Sequence, residues 1–226
     1  MDSRMALVQL QKYLLDYEKQ EILEYETVYY VNLLSRKNGG VKTPDGPENF
    51  GFDNDKQEYE CDIHDHLAYR FEIVKRIGKG SFGQVYKCFD HKEKEFVALK
   101  ILRNKKRLYK QGLVEVKILE TLKENDPEDK KNIVKILGHF VFRKHLIIGF
   151  ELLNMNLYDF IKSNNFSGVS VGLVRRFAIQ LLVALHYMKD NDIIHCDMKP
   201  ENILLRKSNK SGIKVIDFGS GTFENE

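Results

Sequence analysis

The sequence predicts an α+β protein: a β-rich region, then a helical one, with an extension in front. Three observations carry that prediction. Short alternating runs joined by turn residues occupy Tyr69 to Leu102, apolar residues recur at helical spacing beyond Leu153, and a Gly/Pro/Asn/Asp-rich stretch interrupts the chain before either. The sequence carries no internal repeat and no low-complexity tract that would point to another architecture.

In the extension, Leu7, Leu10, Leu14 and Tyr17 fall at helical spacing, which predicts an amphipathic helix from Ser3 to about Tyr25. Ser35 to Gln57 reads as a linker or wrapped segment. The runs YRFEIVKRI, QVYKCFD and FVALKIL predict an antiparallel meander, joined by a Gly-rich turn and by HKEKE. Leu113, Val116, Leu119 and Leu122 place a helix after the third strand, and IVKILGHFVF with HLIIGFELL forms a hairpin completing a five-stranded sheet. Beyond a boundary near Leu153 come a short helix, NLYDFIK, and a long one carrying Val174, Phe177, Leu181, Leu185 and Met188 on one side. Two short apolar runs follow. The organisation expected is an extension at 1–69, a β-rich lobe at 70–153 and a helical region at 154–226.

Composition narrows the function classes. With 42% hydrophobic and 31% charged residues in 226, the chain is expected to fold around one substantial core or two modest ones. A net charge of +3 in mixed-sign segments gives no strong field toward nucleic acid or an anionic membrane. No apolar run approaches membrane-spanning length, and no signal peptide is evident because Gln9, Gln11 and Lys12 interrupt Leu7 to Leu15. Three cysteines without paired spacing fit a reducing compartment, so cytosol or nucleus is expected.

Chemistry concentrates in four places. In IGKGSFGQV, Gly78, Gly80 and Gly83 let backbone amides approach phosphate oxygens, although the spacing alone also fits a glycine hairpin with no ligand. A dinucleotide site is disfavoured because Gln84 to Phe89 alternates like a strand where that motif opens a helix. Lys100 stands inside an apolar strand and asks for an anion, with Glu115 on the next helix as a counter-charge. Each alone could be a surface residue. IIHCDMKPENILL gathers His195, Asp197, Lys199 and Asn202: Asp197 can accept a hydroxyl proton, Lys199 can balance phosphoryl charge, and Asn202 can offer an oxygen to Mg²⁺. Asp217, after IKVI, can supply a carboxylate to the same metal.

In this order the motifs resemble those of a eukaryotic protein kinase. HCD for the commoner His-Arg-Asp, VALKILRNKKR, FELLNMNLYDFIK and SGIKVIDFGS are similar to the dual-specificity tyrosine-regulated kinases of the CMGC group. NFGFDNDKQEYECDIHDHLAYRFEIV resembles that family's homology box, and YEKQEILEYETVYYV the accessory region of its class II members. The resemblance implies a two-lobe kinase fold: a five-stranded antiparallel N-lobe with one main helix, and a helical C-lobe that is incomplete here. It implies ATP-dependent phosphorylation of serine and threonine in proline-directed protein substrates, with tyrosine autophosphorylation. Ile77, Gly78, Lys79, Gly80, Ser81, Phe82, Gly83, Gln84 and Val85 would cover the ATP phosphates, with Lys100 on the α and β groups and Glu115 holding Lys100. Val85, Ala98 and Leu204 would sandwich the adenine, and Phe150 would be the gatekeeper. Backbone groups of Glu151 and Leu153 would bond the adenine edge, and Asn156 would face the ribose. Asp197 would take the substrate proton beside Lys199, and Asn202 and Asp217 would ligate Mg²⁺.

Three further readings are set aside. Cys61, His64, Asp65 and His66 suggest zinc, but no second ligand pair lies at structural-site spacing; hydrogen bonds anchoring the extension are expected instead. Arg103 to Arg107 reads as a solvated turn, and Cys196 as a packing residue. The expected strain is at the end, where the activation segment, an Ala-Pro-Glu-like element and the substrate-binding helices do not follow Asp217-Phe218-Gly219. The resemblance then leaves a truncated kinase with an apolar surface open to a partner. The alternative is a catalytically silent module that binds nucleotide or protein.

Overall fold

The computed structural model describes residues 1–33, 49–208 and 210–224. Much of the stretch expected to be a linker therefore lies outside the described residues. The chain folds into two compact units, Met1–Tyr109 with His139–Gly149, and Lys110–Gly138 with Phe150–Glu226. The division falls at three chain positions.

The expected helix from Ser3 to Tyr25 is broken into α1 (Ser3–Leu10) and α2 (Asp16–Glu21), each followed by a 3-10 turn. Asp2 caps α1 through Arg4 N at 2.9 Å, and Glu18 reaches back to Leu15 N at 3.0 Å to start α2. The break has a packing reason: Leu14 and Ile22 enter the core, while Glu18 and Glu21 turn toward a buried guanidinium on a distant hairpin.

Six strands, one more than expected, form the main sheet: β1 (His66–Leu67), β2 (Phe71–Lys79), β3 (Gly83–Asp90), β4 (Glu95–Leu102), β5 (Ile136–Phe142) and β6 (His145–Glu151), in the order β1-β2-β3-β4-β6-β5. The extra strand β1 is two residues long and pairs with the start of β2, too short for an alternating pattern to reveal. β3 alternates buried and partly exposed residues, whereas β4 is buried from Val97 to Leu102, as a central strand covered on both faces should be. Ala6, Leu14, Ile22, Val28, Phe52 and Tyr59 of the extension share one core with Ile73, Cys88, Leu99 and Ile147. The extension is thus part of this hydrophobic core.

Arg143, in the β5–β6 turn, pins it. Its Nη2 donates to Glu21 Oε2 at 2.7 Å and Glu18 Oε1 at 3.0 Å, its Nη1 to Tyr59 at 3.0 Å, and Phe52 lies 3.9 Å from the guanidinium carbon. The Cys61–His66 stretch also serves as an anchor. His64 bonds Glu72 at 2.7 Å and His66 stacks on Tyr69, so these residues disperse into separate contacts. No group of three His, Cys, Asp or Glu fit to hold a metal occurs among the described residues.

The second unit contains most of α3 (Lys106–Glu124), then α4 (Leu157–Ser163) and α5 (Val171–Asp190). Small strand pairs join β7 (Ile193–Ile194) to β10 (Thr222–Phe223) and β8 (Ile203–Leu205) to β9 (Ile213–Val215). Its core brings Leu157 and Phe177 onto Ile203, Leu205 and Ile213. The buried stripe of α5 is Phe177, Ala184, Tyr187 and Met188; Val174 and Leu185, expected with it, are exposed, as is Leu113 on α3. A correction also applies to membrane-spanning length, since α5 is long and apolar enough to cross a membrane. Within its unit, Phe177 packs on the β8–β9 core and the Tyr187 hydroxyl donates to Leu122 O at 2.7 Å.

Candidate active site

In the first unit, Ile77, Gly78 and Lys79 end β2, Gly80–Phe82 form the turn, and Gly83, Gln84 and Val85 open β3. Gly80 N donates to Gly83 O at 2.9 Å and closes the turn. The three glycines do different work. A Cβ at Gly83 would stand 2.0 Å from Ile101 O, so this glycine is required by strand packing. Among the described residues nothing lies within 4 Å of a Cβ at Gly80, and at Gly78 only Val85 is in ordinary contact, so those positions leave space beside the backbone for a ligand. Gln84 is buried and spent on structure, donating to Tyr59 O at 3.2 Å and accepting from Tyr86 and Arg76.

Two residues that sequence reasoning missed hold this turn. Glu58 accepts from Lys79 Nζ at 2.8 Å and from Arg103 Nη2 at 2.7 Å, while Arg103 N donates to Phe82 O at 3.0 Å. Arg103 is therefore an anchor, a correction to its reading as part of a solvated turn; Lys105, Lys106 and Arg107 remain exposed. The Lys79 ammonium, with Asn54 and Arg103, holds the Glu58 carboxyl down at about 2. Ala98 and Lys100 are buried on β4, with Val85 opposite Lys100 in register and the Phe82 ring 5.6 Å from the ammonium.

In the second unit, Glu115 is buried on α3, Phe150 is buried on β6, Glu151 ends that strand, and Leu153 follows it partly exposed. Asn156 has a task the sequence reading did not give it. Its side chain caps α4, accepting from Asp159 N at 2.7 Å and donating to Asp159 Oδ2 at 2.9 Å. The Asn-x-x-Asp spacing could have signalled this cap.

The segment from His195 to Asn202 is tightly knotted. Asp197 Oδ2 accepts from Lys199 Nζ at 2.7 Å and from Asn202 Nδ2 at 3.1 Å, and Asn202 Nδ2 also reaches Asp197 O at 2.9 Å. Asn202 is buried, and with Nδ2 turned to Asp197 its Oδ1 is the end available to a cation. The Asp197 carboxylate, hydrogen-bonded to Lys199, raises the ammonium's pKa, with smaller contributions from Asp217 and Glu201. Ile216 N donates to Asn202 O at 2.9 Å, and His195 Nε2 meets Ile216 O at 2.9 Å, so this loop and the strand leading to Asp217 are stitched together. The Phe218 ring lies buried against His195, centroids 4.8 Å apart. Cys196 and Asp217 both have left-handed backbones, φ 63° and 61°, a strained conformation that functional loops favour. Leu204 follows on β8, opposite Lys214. Asp197, Lys199, Asn202 and the residue before Asp217 are thus linked within one unit.

A family model described as protein kinase domain matches residues 71–226. The chain is 53% identical over 209 residues to a probable serine/threonine-protein kinase dyrk2 of Dictyostelium discoideum, covering 92% of this chain and 22% of that protein. It is 51% identical over 210 residues to a putative dual specificity tyrosine-phosphorylation-regulated kinase 3 homolog of Drosophila melanogaster, covering 93% of this chain and 25% of that one. Against human dual specificity tyrosine-phosphorylation-regulated kinase 3 it is 48% identical over 219 residues, 97% of this chain and 37% of the relative. The chain thus spans between about a fifth and two fifths of the length of these relatives.

Proposed function

The chain belongs to the protein kinase domain family, and from that premise we propose that the protein it forms transfers the γ-phosphate of ATP to serine and threonine hydroxyls of proteins, in the cytosol or nucleus. The dual-specificity, tyrosine-phosphorylation-regulated names of its relatives support a tyrosine autophosphorylation step, and proline-directed sites belong to the same proposal. The observation that carries the reading is the Asp197–Lys199–Asn202 knot. Lys199 and Asn202 both donate to Oδ2, which leaves Oδ1 to accept the substrate hydroxyl's hydrogen bond. As the hydroxyl oxygen forms its bond to the γ-phosphorus and the bond to the ADP oxygen breaks, the proton passes to Asp197. Lys199 balances charge on the phosphoryl oxygens. Gly78 and Gly80 offer open backbone to phosphates, Lys100 the buried cation and Glu115 the counter-charge expected to orient it. Val85 and Ala98 are the apolar groups the first unit offers to a base, and Phe150, Leu204 and the Glu151 and Leu153 backbones are those expected to meet one in the second.

Protein kinases use Mg²⁺ with ATP, and its charge neutralises the phosphates when bound. Asn202 Oδ1 and the Asp217 carboxylate are hard oxygen donors that fit it. The test is transfer of labelled phosphate from Mg-ATP to a Ser-Pro peptide by the whole protein. Phosphotransfer should vanish on Mg²⁺ chelation and fall in Asp217→Asn, with thermal stabilisation by Mg-ATP in the unmodified chain. Metal-independent transfer, or no stabilisation at millimolar nucleotide, would overturn the reading.

A further inference from the structure

The second unit buries one more cation for which the kinase reading has no use. Lys214, on β9, has a side chain with no exposed surface, and its ammonium lies 2.6 Å from Asp129 Oδ1 while also donating to Glu151 Oε1. The two carboxylate side chains keep 39% and 26% of their surface exposed, so both could hydrate without it. The buried member is the lysine, and burying an ammonium is costly unless anions meet it. What it achieves is convergence.

Asp129 also holds Arg206, with Nη1 to Oδ2 at 3.3 Å and Nη2 to the carbonyl at 3.0 Å. Glu151 is held twice more: Oε1 accepts from Lys135 N at 2.7 Å, and its own N donates to Lys135 O at 3.1 Å. With carboxylate and amide fixed, the Glu151 carbonyl is the backbone group left to accept from a ligand. Leu204, the expected base-facing residue, sits opposite Lys214 in the β8–β9 register.

We propose that Lys214 is a positioning residue for nucleotide selection: by fixing Glu151 it aims that residue's carbonyl at the 6-amino group of adenine. The inference rests on the nucleotide reading above. It predicts a selective defect, because a misplaced carbonyl loses its hydrogen bond to the 6-amino group, while a purine lacking that group has nothing to lose.

The experiment uses the whole protein and two nucleotides, ATP and its 6-deamino analogue, purine riboside triphosphate. In Lys214→Met, KM for ATP should rise about tenfold with kcat changed less than about twofold, while KM for the analogue changes less than about twofold. Asp129→Asn, which weakens the other carboxylate bond to the same ammonium and keeps the one to Glu151, should lower the unfolding midpoint and leave the ratio of the two KM values unchanged. Equal rises for both nucleotides, or no rise, would overturn the assignment. Should Lys214→Met fail to fold, Glu151→Gln keeps the cation and its Asp129 partner and should give the same split; an unchanged ratio there overturns the assignment too. Unmodified protein that turns over neither nucleotide would instead sink the kinase reading.

Discussion

The Arg143–Glu21 and Lys199–Asp197 ion pairs have the same 2.7 Å separation and do opposite work. The Arg143 side chain is 1% exposed and stacked on Phe52, and its carboxylate partners are buried with it. Lys199 and Asp197 keep 44% and 36% of their side-chain surface exposed. A fully desolvated pair locks distant segments, because removing one member strands the other in a low-dielectric medium. A solvated pair contributes little to stability and stays free to exchange partners when a reagent arrives. Distance alone therefore does not tell these two pairs apart; burial does.

The most forceful way to break this comparison is Arg143→Leu. It leaves Glu18 and Glu21 buried without their cation, and the expected loss is about 3–5 kcal/mol, measured from urea unfolding midpoints. Arg143→Lys should recover less than half of it, since an ammonium cannot reproduce the fork to two carboxylates and the Tyr59 hydroxyl. A loss below about 1 kcal/mol for Arg143→Leu would show that the extension holds without this pin.

Asp197→Asn probes the other side. The isosteric amide removes the proposed proton acceptor, and kcat for peptide phosphorylation should fall about 10²- to 10³-fold, or about 2.7–4 kcal/mol of transition-state stabilisation. Its unfolding midpoint should move by less than about 0.5 kcal/mol. A stability loss comparable to that of Arg143→Leu would erase the distinction between the two pairs.

The parts legible in the sequence were those with a local signal. The alternation of β3, the spacing of α3 and the linear order from Gly78 to Asp217 all declare themselves within short windows. The parts missed depend on partners far apart in the chain. Arg143 meets Glu21 across 122 residues, Lys214 meets Asp129 across 85, and Arg103 meets Glu58 across 45, and no periodicity connects such positions. Leu10, Leu14 and Tyr17 look like an uninterrupted helical stripe because the partner of Glu18 and Glu21 at the break, Arg143, lies on a distant hairpin. Phe177 could be read as core, but which other face of α5 is buried depends on the β8–β9 pair.

The glycine turn sharpens the comparison inside a single motif. Gly83→Ala must push against Ile101 O and should cost about 2 kcal/mol, whatever the ligand. Gly80→Ala meets nothing and should leave the unfolding midpoint within about 0.5 kcal/mol, so any rise in KM for ATP reports on the phosphates alone. Equal destabilisation by the two substitutions would contradict the division of labour.

The smallest expected effect concerns Glu58, which joins the extension to the turn and lies between the two extremes. Its carboxyl is buried, yet its partner Lys79 is nearly half-exposed. Bonded first to Lys79 and also to Asn54 and Arg103, it titrates at about 2 instead of 4.5. A carboxyl with a depressed folded-state pKa binds its proton more readily in the unfolded chain, so its contribution is complete above about pH 4.5 and drains away as pH falls toward 2. Water around Lys79 screens the pair, and the amount lost over that window should be roughly 1 kcal/mol. In Glu58→Gln the same stretch of the stability curve should flatten by that amount, measured as urea midpoints against pH. Parallel curves for the two proteins would mean that Glu58 is hydrated in both folded and unfolded chains, and that the turn over Gly80 is held from the extension by shape instead of charge.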